Sequence, residues 1–204
     1  MTFALHFHEI VSLSDSLYDP WLDLYQTAFP LNEQMLVSAH NKILRDKGDG
    51  LHPDQHFLAA LDTQQKLLAM ARYDLMRECQ AAILWYLAVR TDERSQGIGG
   101  QVYQYIMQHA RREYPSLRAL TYEVEDPDVT QEREWALRRI AFYQRNGARL
   151  LEGIHYDQAV GWQPPVSMKI MVHPYEEMNA EQAFILAKRV YGDALQKVGP
   201  LILD

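Results

Sequence analysis

The sequence predicts a mixed sheet packed against helices, in the α/β or α+β class. Three features of the chain support this fold class. The nearly apolar segment AAILWYLAV, at 81–89, is typical of a central strand covered on both faces. The segments at 55–62 and 67–76 are β-prone and flank a polar turn, which predicts a hairpin. Beyond residue 97, segments of helical and of strand periodicity alternate.

The first half of the chain supplies a strand, two helices and the hairpin. TFALHFHEI alternates between apolar and polar residues and predicts the opening strand. SLYDPWLDLYQTAF has apolar residues at helical spacing and predicts a helix, with Ser14 or Asp15 as its N-cap. NEQMLVSAHNKILRDKGDG predicts a second helix that ends at its glycines. Trp21, Tyr25 and Phe29 lie four apart on the first helix, a spacing more typical of core packing than of substrate binding.

The second half alternates helices and strands. A helix follows the glycines and places four residues on one face, namely Val102, Ile106, Ala110 and Tyr114. LRALTYEVE predicts a strand, EREWALRRIAFYQRNG a helix that Gly147 ends, and ARLLEGIHYD and VSMKIMVHPY two more strands. MNAEQAFILAKRVYGDAL predicts a last helix, which either completes the fold or lies in a dimer contact. We expect a single domain over residues 1–204, including a C-terminal helical extension at 175–204; a homodimer stays open.

Composition and charge exclude several classes of protein. The chain has 204 residues, a formal net charge of −7 and a pI of about 5.6, so it suits cationic or neutral substrates and is a poor candidate for binding a phosphate backbone. Its single cysteine, Cys79, excludes an intrachain disulfide and indicates an intracellular protein. The sequence shows no signal peptide and no apolar run that would span a bilayer. We therefore expect a cytoplasmic protein that binds neither nucleic acid nor membranes.

Residues 94–100, Arg-Ser-Gln-Gly-Ile-Gly-Gly, form a predicted turn between a strand and a helix. The first N–H groups of a helix lack partners and carry the positive end of its dipole, so an anion can bind where glycines allow close approach. A Walker A loop is excluded because Gly99 is followed by Gly100 and Gln101 instead of Lys and Ser or Thr. A Rossmann fingerprint is excluded because Val102 occupies its third glycine position. The alternative is an ordinary turn that uses glycine for a positive φ.

Three sequence motifs occur together in this chain. Residues 94–99 fit Arg/Gln-x-x-Gly-x-Gly/Ala, the apolar Leu-Ala-Val of 87–89 precedes them, and Ala-Phe-Tyr-Gln-Arg-Asn-Gly-Ala follows at 141–148. In this combination the chain resembles the GNAT superfamily of acyl-CoA-dependent N-acyltransferases, and its element order is similar to that family from Thr2 to Tyr175. The resemblance implies the GNAT fold, a central mixed, mostly antiparallel sheet of about seven strands flanked by helices, here with an extra C-terminal helix.

The resemblance also implies acetyl-CoA as the cofactor. By position, its pyrophosphate would be held by the main-chain amides of Gln96, Gly97, Ile98, Gly99 and Gly100, with Arg94 adding positive charge. The main chain of Leu87 and Val89 would pair with the pantetheine arm as an added strand, while their side chains lie in the core. The N–H of Leu87 would also donate to the oxyanion of the reaction.

The resemblance gives Tyr143, in Phe-Tyr-x-x-x-Gly, a catalytic role. A phenol has an ordinary pKa of about 10, so it can donate a proton to a leaving thiolate at neutral pH. The alternative is a buried helix residue with a satisfied hydroxyl. Relatives often carry Asn-x-x-Ala-x-x-x-Tyr at this helix, and here Ala136 and Arg139 occupy the Asn and Ala places, which indicates a divergent branch.

The general base is harder to assign. Many relatives carry a glutamate or histidine on the strand before the glycine turn, but residues 83–86 here are Ile-Leu-Trp-Tyr. Glu123 and Glu125 are two apart on a predicted strand and therefore share one face of it. The two carboxylates are candidates to bind a cationic acceptor and take its proton, and Glu123 is ranked ahead of Glu125. The alternative for this pair is a solvated face or an ion pair with Arg138 or Arg139.

These features predict an enzyme that transfers an acetyl group from acetyl-CoA to a primary amine of a small molecule, by direct attack in a ternary complex. Cys79 lies in the turn RECQ and gives no sign of a cysteine nucleophile. A protein lysine or N-terminus is the alternative acceptor, and a non-catalytic acyl-CoA sensor is the alternative class. No metal is expected, because His6 and His8 lack a third ligand.

Overall fold

The structure is a computed structural model that describes residues 4–159 and 164–204. Thr2 and Phe3, at the start of the predicted opening strand, lie outside the described residues. The chain divides into two units. The first comprises the described residues up to Asp74 together with Leu84–Gln108, and the second comprises Leu75–Ile83 together with the described residues from His109 onward.

The first unit contains a sheet and helices. Its elements are β1 (His6–Glu9), α1 (Tyr18–Ala28), α2 (Val37–Gly48), β2 (Gln55–Leu61), β3 (Leu67–Met76), β4 (Ala81–Val89) and α3 (Ile98–Glu113), of which the last three extend into the second unit. Within this unit the strand order is β1-β2-β3-β4, and the β1–β2 and β2–β3 pairs are antiparallel. The predicted opening strand, hairpin, apolar strand and three helices are therefore confirmed.

Aromatic side chains form the core of the first unit. Trp21 and Tyr25 of α1 are fully buried, and their ring centroids lie 5.7 Å apart, so this helix face packs in the core as its spacing predicts. His40 of α2 is fully buried against both rings, and neither of its ring nitrogens has a hydrogen-bond partner among the described residues. Burial, aided by the charge of Arg72, lowers the pKa of His40 to about 3. This imidazole is therefore neutral in the folded protein at pH 7.

The second unit contains a mixed sheet. Its further elements are β5 (Ala119–Glu125), α4 (Arg133–Arg145), β6 (Arg149–His155), β7 (Asp157–Gln158), β8 (Val166–Pro174), α5 (Ala180–Tyr191) and β9 (Gln196–Leu203). β4 pairs with β5 in parallel through Ala81–Ile83. The β5–β8, β6–β8, β6–β9 and β7–β8 pairs are antiparallel. The sheet is thus mixed and mostly antiparallel, as predicted.

The C-terminal segment holds the predicted helix, α5, and also β9, which the sequence analysis does not predict. Gly199 and Pro200 interrupt the strand pattern of β9, and both residue types are depleted inside strands. β9 pairs with β6 where β6 has a register shift around Gly153. Gly153 has a φ of 77°, and an added Cβ would lie 2.1 Å from the carbonyl oxygen of Pro200, so this approach requires glycine. The described residues form nine strands, more than the roughly seven that the resemblance implies.

Two helix starts have different caps. The N-cap of α1 is Leu17 with no side-chain cap, so the prediction of Ser14 or Asp15 is wrong. The reason is that Asp15 closes a turn before the helix, where its carboxylate accepts from the N–H of Leu17 at 3.0 Å. α5 begins with a capping box between Asn179 and Gln182. Among the described helices, none has both the length and the apolar character needed to cross a membrane.

Candidate active site

The turn between β4 and α3 contains two residues with positive φ. Ser95 has a φ of 65° and Gly97 a φ of 81°. An added Cβ on Gly97 would meet nothing within 4 Å, so the space over this part of the turn is open. Residues 94–97 are exposed, whereas the side chain of Ile98 is buried. The turn is therefore anchored at the start of α3 and open to solvent before it.

The first turn of α3 fits a bound diphosphate. The helix is 16 residues long, so its dipole places partial positive charge at its N-terminus. Gln101 donates its N–H to the carbonyl of Gly97 at 3.2 Å, which closes the first turn of the helix. The N–H groups of the helical residues before Gln101 have no carbonyl to bond within the helix. Such N–H groups, next to open space at Gly97, are the donors that phosphate oxygens need. The residues predicted to hold the pyrophosphate, 96–100, are suited to that group, and their role stays a prediction.

The end of β4 directs main-chain groups away from β3. The N–H of Arg90 donates to the carbonyl of Leu68 on β3 at 2.9 Å. Because main-chain groups alternate in direction along a strand, those of Leu87 and Val89 point to the other side. Within the first unit β4 is the last strand of the sheet. The main chain of Leu87 and Val89 therefore has the direction that pairing with an extended ligand requires.

Arg94 lies at this same side of β4. Its Nε donates to the carbonyl of Val89 at 3.3 Å, and its side chain is exposed. The side-chain amide of Gln96 donates to Glu93 at 3.2 Å. The side chains of Leu87 and Val89 are half-buried, so they are less enclosed than the core side chains that the sequence predicts at these positions. Positive charge from Arg94 thus stands beside the main-chain groups predicted to meet the cofactor.

Both carboxylates of β5 have partners within the second unit. Glu123 is half-buried and accepts hydrogen bonds from the hydroxyl of Tyr156, at 2.9 Å, and from the side-chain amide of Gln158. Burial, together with the charge of Glu123, raises the pKa of Tyr156, so this hydroxyl remains a donor. Glu125 forms an ion pair with Arg139 at 3.1 Å. For Glu125, the structure therefore supports the ion-pair alternative.

Tyr143 of α4 is buried against β5. Its ring centroid lies 4.1 Å from that of Tyr122 and 5.0 Å from that of Phe142. Burial raises the pKa of Tyr143 to about 12, against the opposing charge of Arg139, so its hydroxyl is protonated at neutral pH. Tyr122 and Glu123 are consecutive on β5 and point to opposite faces. The structure therefore does not bring the two predicted catalytic side chains, Tyr143 and Glu123, to one face of this strand.

A buried ion pair on β3 is absent from the sequence-based candidates. Arg72 and Asp74 are 1% and 9% exposed, and Nη2 of Arg72 lies 3.3 Å from Oδ2 of Asp74. The indole Nε1 of Trp85 on β4 donates to the same oxygen at 2.9 Å. Burial raises the pKa of Asp74, against the opposing effects of Arg72 and Trp85. The signal in the sequence is a pair of charged residues, two apart, in the otherwise apolar LLAMARYDLM.

The chain matches the model of the Acetyltransferase (GNAT) family over residues 18–148. It is similar in structure to a GNAT-family protein from Bacteroides thetaiotaomicron, with a TM-score of 0.69, 22% identity and coverage of 92% of this chain and 98% of that one. A Bacillus subtilis acetyltransferase solved in complex with CoA gives a TM-score of 0.55 and 14% identity over 85% of this chain and 100% of that one. A chimera of the Vibrio cholerae spermidine N-acetyltransferase gives a TM-score of 0.61 and 11% identity, with coverage of 83% of this chain and 95% of that one. No curated protein matches the sequence.

The family match covers the predicted cofactor-binding and catalytic residues. It runs from the start of α1 to the residue after Gly147, so it includes the glycine turn, Glu123 and Tyr143. At these identities the structural likeness supports the fold, and it agrees with the mixed, mostly antiparallel sheet described above. The roles of the individual side chains stay predictions.

Proposed function

The chain belongs to the GNAT acetyltransferase family, and from this premise we propose that it transfers an acetyl group from acetyl-CoA to a primary amine of a small molecule. The family uses acetyl-CoA, and one structural neighbour is solved with CoA. One observation on this chain carries the proposal. The β4–α3 turn combines positive φ at Ser95 and Gly97 with open space in front of a helix N-terminus.

Each residue predicted from the sequence to serve the cofactor or the leaving group has a role in this proposal. Residues 96–100 would bind the diphosphate through main-chain N–H groups, and the main chain of Leu87 and Val89 would align the pantetheine arm. Acetyl-CoA supplies a thioester whose carbonyl carbon is open to attack by an amine. The N–H of Leu87 would donate to the carbonyl oxygen as negative charge develops there. Tyr143 would give its hydroxyl proton to the departing sulfur.

The state of Cys79 supports direct attack by the amine over a route through an acylated cysteine. This thiol is buried and donates to the carbonyl of Arg189 at 3.2 Å. Burial raises its pKa, which leaves little of the thiolate that would act as a nucleophile. Because Cys79 is the sole cysteine of the chain, direct transfer from the thioester to the amine is the simpler route.

A small cationic acceptor suits the charge of the chain. The formal net charge is −7, and a negative protein attracts protonated amines from solution. The Vibrio cholerae chimera among the structural neighbours is named for spermidine, which carries primary amines. A protein lysine or N-terminus is the alternative acceptor, and peptides therefore belong in the test.

The test is release of free thiol from acetyl-CoA by the purified protein, with a panel of polyamines, amino acids, aminoglycosides and lysine-containing peptides. The proposal expects turnover with one or more small amines, and mass spectrometry of the product should show the added acetyl group on nitrogen. Turnover with peptides alone would identify a protein lysine or N-terminus as the acceptor. Tight CoA binding with no turnover on any amine would favour the non-catalytic sensor.

Gly97→Ala tests the diphosphate site itself, and Gly50→Ala is its matched control. The two glycines have nearly equal φ, 81° and 80°, and an added Cβ meets nothing within 4 Å at either position. The backbone strain of alanine, about 1–2 kcal/mol, is therefore the same at both positions. We expect the calorimetric Kd for CoA to rise about tenfold in Gly97→Ala, because the strained turn redirects its N–H groups, and to stay within about twofold in Gly50→Ala. Equal Kd values for the two variants would remove this turn from the cofactor site.

A further inference from the structure

We propose that Asp74 is the general base of the reaction and accepts at Oδ1 the proton that the acceptor amine loses. This inference rests on the proposed function and names the residue that replaces the carboxylate absent from 83–86. Trp85 occupies that segment, and its indole donates to Asp74 on the neighbouring strand of the same unit. Many relatives carry the carboxylate on the strand before the glycine turn, which is β4 here. In this chain the carboxylate would come from the neighbouring strand, β3.

One oxygen of Asp74 is held by two donors, and the other is buried and unpaired. Oδ2 accepts from Nε1 of Trp85 at 2.9 Å and from Nη2 of Arg72 at 3.3 Å. The guanidinium of Arg72 lies 5.4 Å from the ring centroid of Phe57 and 5.8 Å from that of Trp85, so it is held between two rings. Oδ1 is buried and makes no hydrogen bond of ordinary geometry among the described residues, although the side chain of Gln55 lies close enough to lower the pKa of the carboxyl as a hydrogen-bond partner. A buried acceptor without a donor is costly, and the N–H of an acceptor amine is the kind of donor that Oδ1 lacks.

The surroundings of Asp74 favour proton acceptance. The side chains that act on its carboxyl come from three strands, namely Gln55 and His56 on β2, Arg72 on β3 and Trp85 on β4. Burial is the strongest influence and raises the pKa of Asp74 above its ordinary value, and these neighbours only partly oppose the rise. A carboxylate whose pKa is raised toward neutrality is a stronger base, and general-base catalysis is most effective when that pKa lies near the working pH.

Asp74 is also tied to the strand predicted to align the thioester. Its hydrogen-bond partner Trp85 precedes Leu87 by two residues on β4. At about 3.3 Å per residue, the Cα atoms of Trp85 and Leu87 lie about 7 Å apart. An amine that donates to Oδ1 of Asp74 would therefore stand beside the part of β4 whose N–H is predicted to hold the oxyanion.

Other strand carboxylates are already engaged. Glu9 pairs with His56 at 3.0 Å and with Lys47 at 2.9 Å. Burial raises the pKa of Glu9, but these two partners outweigh it and lower the pKa to about 2, which makes Glu9 a weak base. Glu123 accepts from two side chains, and Glu125 pairs with an arginine. Asp74, in contrast, has a buried, unpaired oxygen, and burial raises its pKa.

The proposed step balances as follows. The protonated amine first loses one proton to solvent. The neutral nitrogen then forms a bond to the acetyl carbon, and a second proton on that nitrogen moves to Oδ1 of Asp74 as the acidity of the nitrogen rises. The bond from the acetyl carbon to sulfur breaks with its electron pair on sulfur, which then takes a proton from Tyr143 or from water. Asp74 releases its proton to solvent, and Tyr143 or hydroxide regains one from solvent. In total, one protonated amine and one thioester give one amide, one thiol and one released proton.

The kinetic test is kcat/KM against pH for wild type, Asp74→Asn and Trp85→Phe, with the best amine of the panel. Wild type should show an acid limb set by the Asp74 carboxyl. Asp74→Asn should lose this limb and at least about 100-fold in kcat/KM at pH 7. Trp85→Phe keeps the carboxylate but removes a donor to Oδ2, so the pKa of Asp74 should rise and the limb should move to higher pH.

Asp62→Asn is the control variant. Asp62 lies in the turn between β2 and β3, where it accepts from the N–H groups of Gln64 and Lys66 at 2.8 and 2.9 Å. An asparagine can still accept there through its amide oxygen. This variant should keep the kcat/KM and the acid limb of wild type.

A second measurement needs no cofactor. The indole N–H signal of Trp85, assigned as the signal missing from Trp85→Phe, should shift with pH as Asp74 titrates, and the shift should disappear in Asp74→Asn. Should Asp74→Asn fail to fold because Arg72 loses its counter-ion, the displaced limb of Trp85→Phe and the indole titration of wild type still decide the question.

Two failures are distinguishable. If wild type binds CoA but acetylates no amine, the proposed function is wrong, and the role of Asp74 as its general base is wrong with it. If wild type is active while Asp74→Asn folds, keeps its kcat/KM and retains the acid limb, Asp74 is not the base and the acetyltransferase proposal stands.

Discussion

The two units of the chain use the carboxylates on their strands differently. In the first unit, Asp74 has one oxygen held by Trp85 and Arg72 and another that is buried and makes no hydrogen bond of ordinary geometry among the described residues. In the second unit, Glu123 and Glu125 are each engaged by neighbouring side chains. Alternation along a strand identifies which face a carboxylate occupies. The hydrogen bonds and ion pairs of a carboxylate show more: they distinguish one that can take a proton from one that holds neighbouring segments together.

Tyr143→Phe should give the largest effect and sharpens this contrast. If Asp74 is the base and Tyr143 the acid, loss of this hydroxyl should lower kcat by about 100-fold while the acid limb stays where it is. Burial raises the pKa of Tyr143 to about 12, so the hydroxyl is protonated across the working pH range. Steady-state kinetics between pH 6 and 9 and calorimetry with CoA are the measurements. The Kd for CoA should change by less than about twofold.

Tyr114→Phe is the matched control in the same unit. It also removes a single phenolic hydroxyl, one that donates to the carbonyl of Arg77 at 3.0 Å. Its kcat should stay within about twofold of wild type. Equal kcat values for the Tyr143 and Tyr114 variants would leave Tyr143 as a buried packing residue with no part in the chemistry.

His40→Leu tests whether acid sensitivity in the first unit comes from the proposed base or from unfolding. The folded pKa of His40 is lowered to about 3 from its ordinary 6.5, so the unfolded chain binds a proton in this window that the folded chain does not. Stability is therefore fully present above pH 6.5 and is lost as pH falls, by about 1.4 kcal/mol per unit at most. His40→Leu should remove this loss, and the midpoint of urea unfolding at pH 7 and pH 5 measures it.

The control for that variant is His6→Leu, since His6 is exposed on β1. Its unfolding midpoint should fall between pH 7 and pH 5 as much as that of wild type. If His40→Leu also abolishes the acid limb of kcat/KM, the limb reports unfolding and the kinetic evidence for Asp74 is lost.

The sequence predicts elements well where local pattern decides them. β4 and β5 follow from an apolar run and a clear alternation, and the turn at 94–100 follows from its glycines. β9 is missed because Gly199 and Pro200 weaken its pattern and its pairing with β6 depends on the close approach at Gly153, a long-range contact. A strand whose formation depends on such a distant partner cannot be predicted from its own local sequence pattern.

The same limit explains the candidate base. Asp74 and Trp85 are eleven residues apart in the chain, and only the packing of β3 against β4 brings indole and carboxylate together. The sequence shows a charged residue in an apolar strand, and it does not show that one oxygen is left buried and unpaired. For Glu123 and Glu125 it shows a shared face, and it does not show that Tyr156, Gln158 and Arg139 reach them.

Glu125→Gln should give the smallest effect and tests the structural half of the contrast. The side chain of Arg139 is 41% exposed and that of Glu125 is 13% exposed, so water screens their ion pair. Removing it should lower the free energy of unfolding by about 0.2–1 kcal/mol. Urea unfolding of Glu125→Gln, Arg139→Gln and the double variant would isolate the coupling, which should be positive and should shrink in 1 M salt, where screening is stronger. A loss of kcat/KM in Glu125→Gln that exceeds the loss in Asp74→Asn would reverse the contrast, because the proton would then be taken in the second unit.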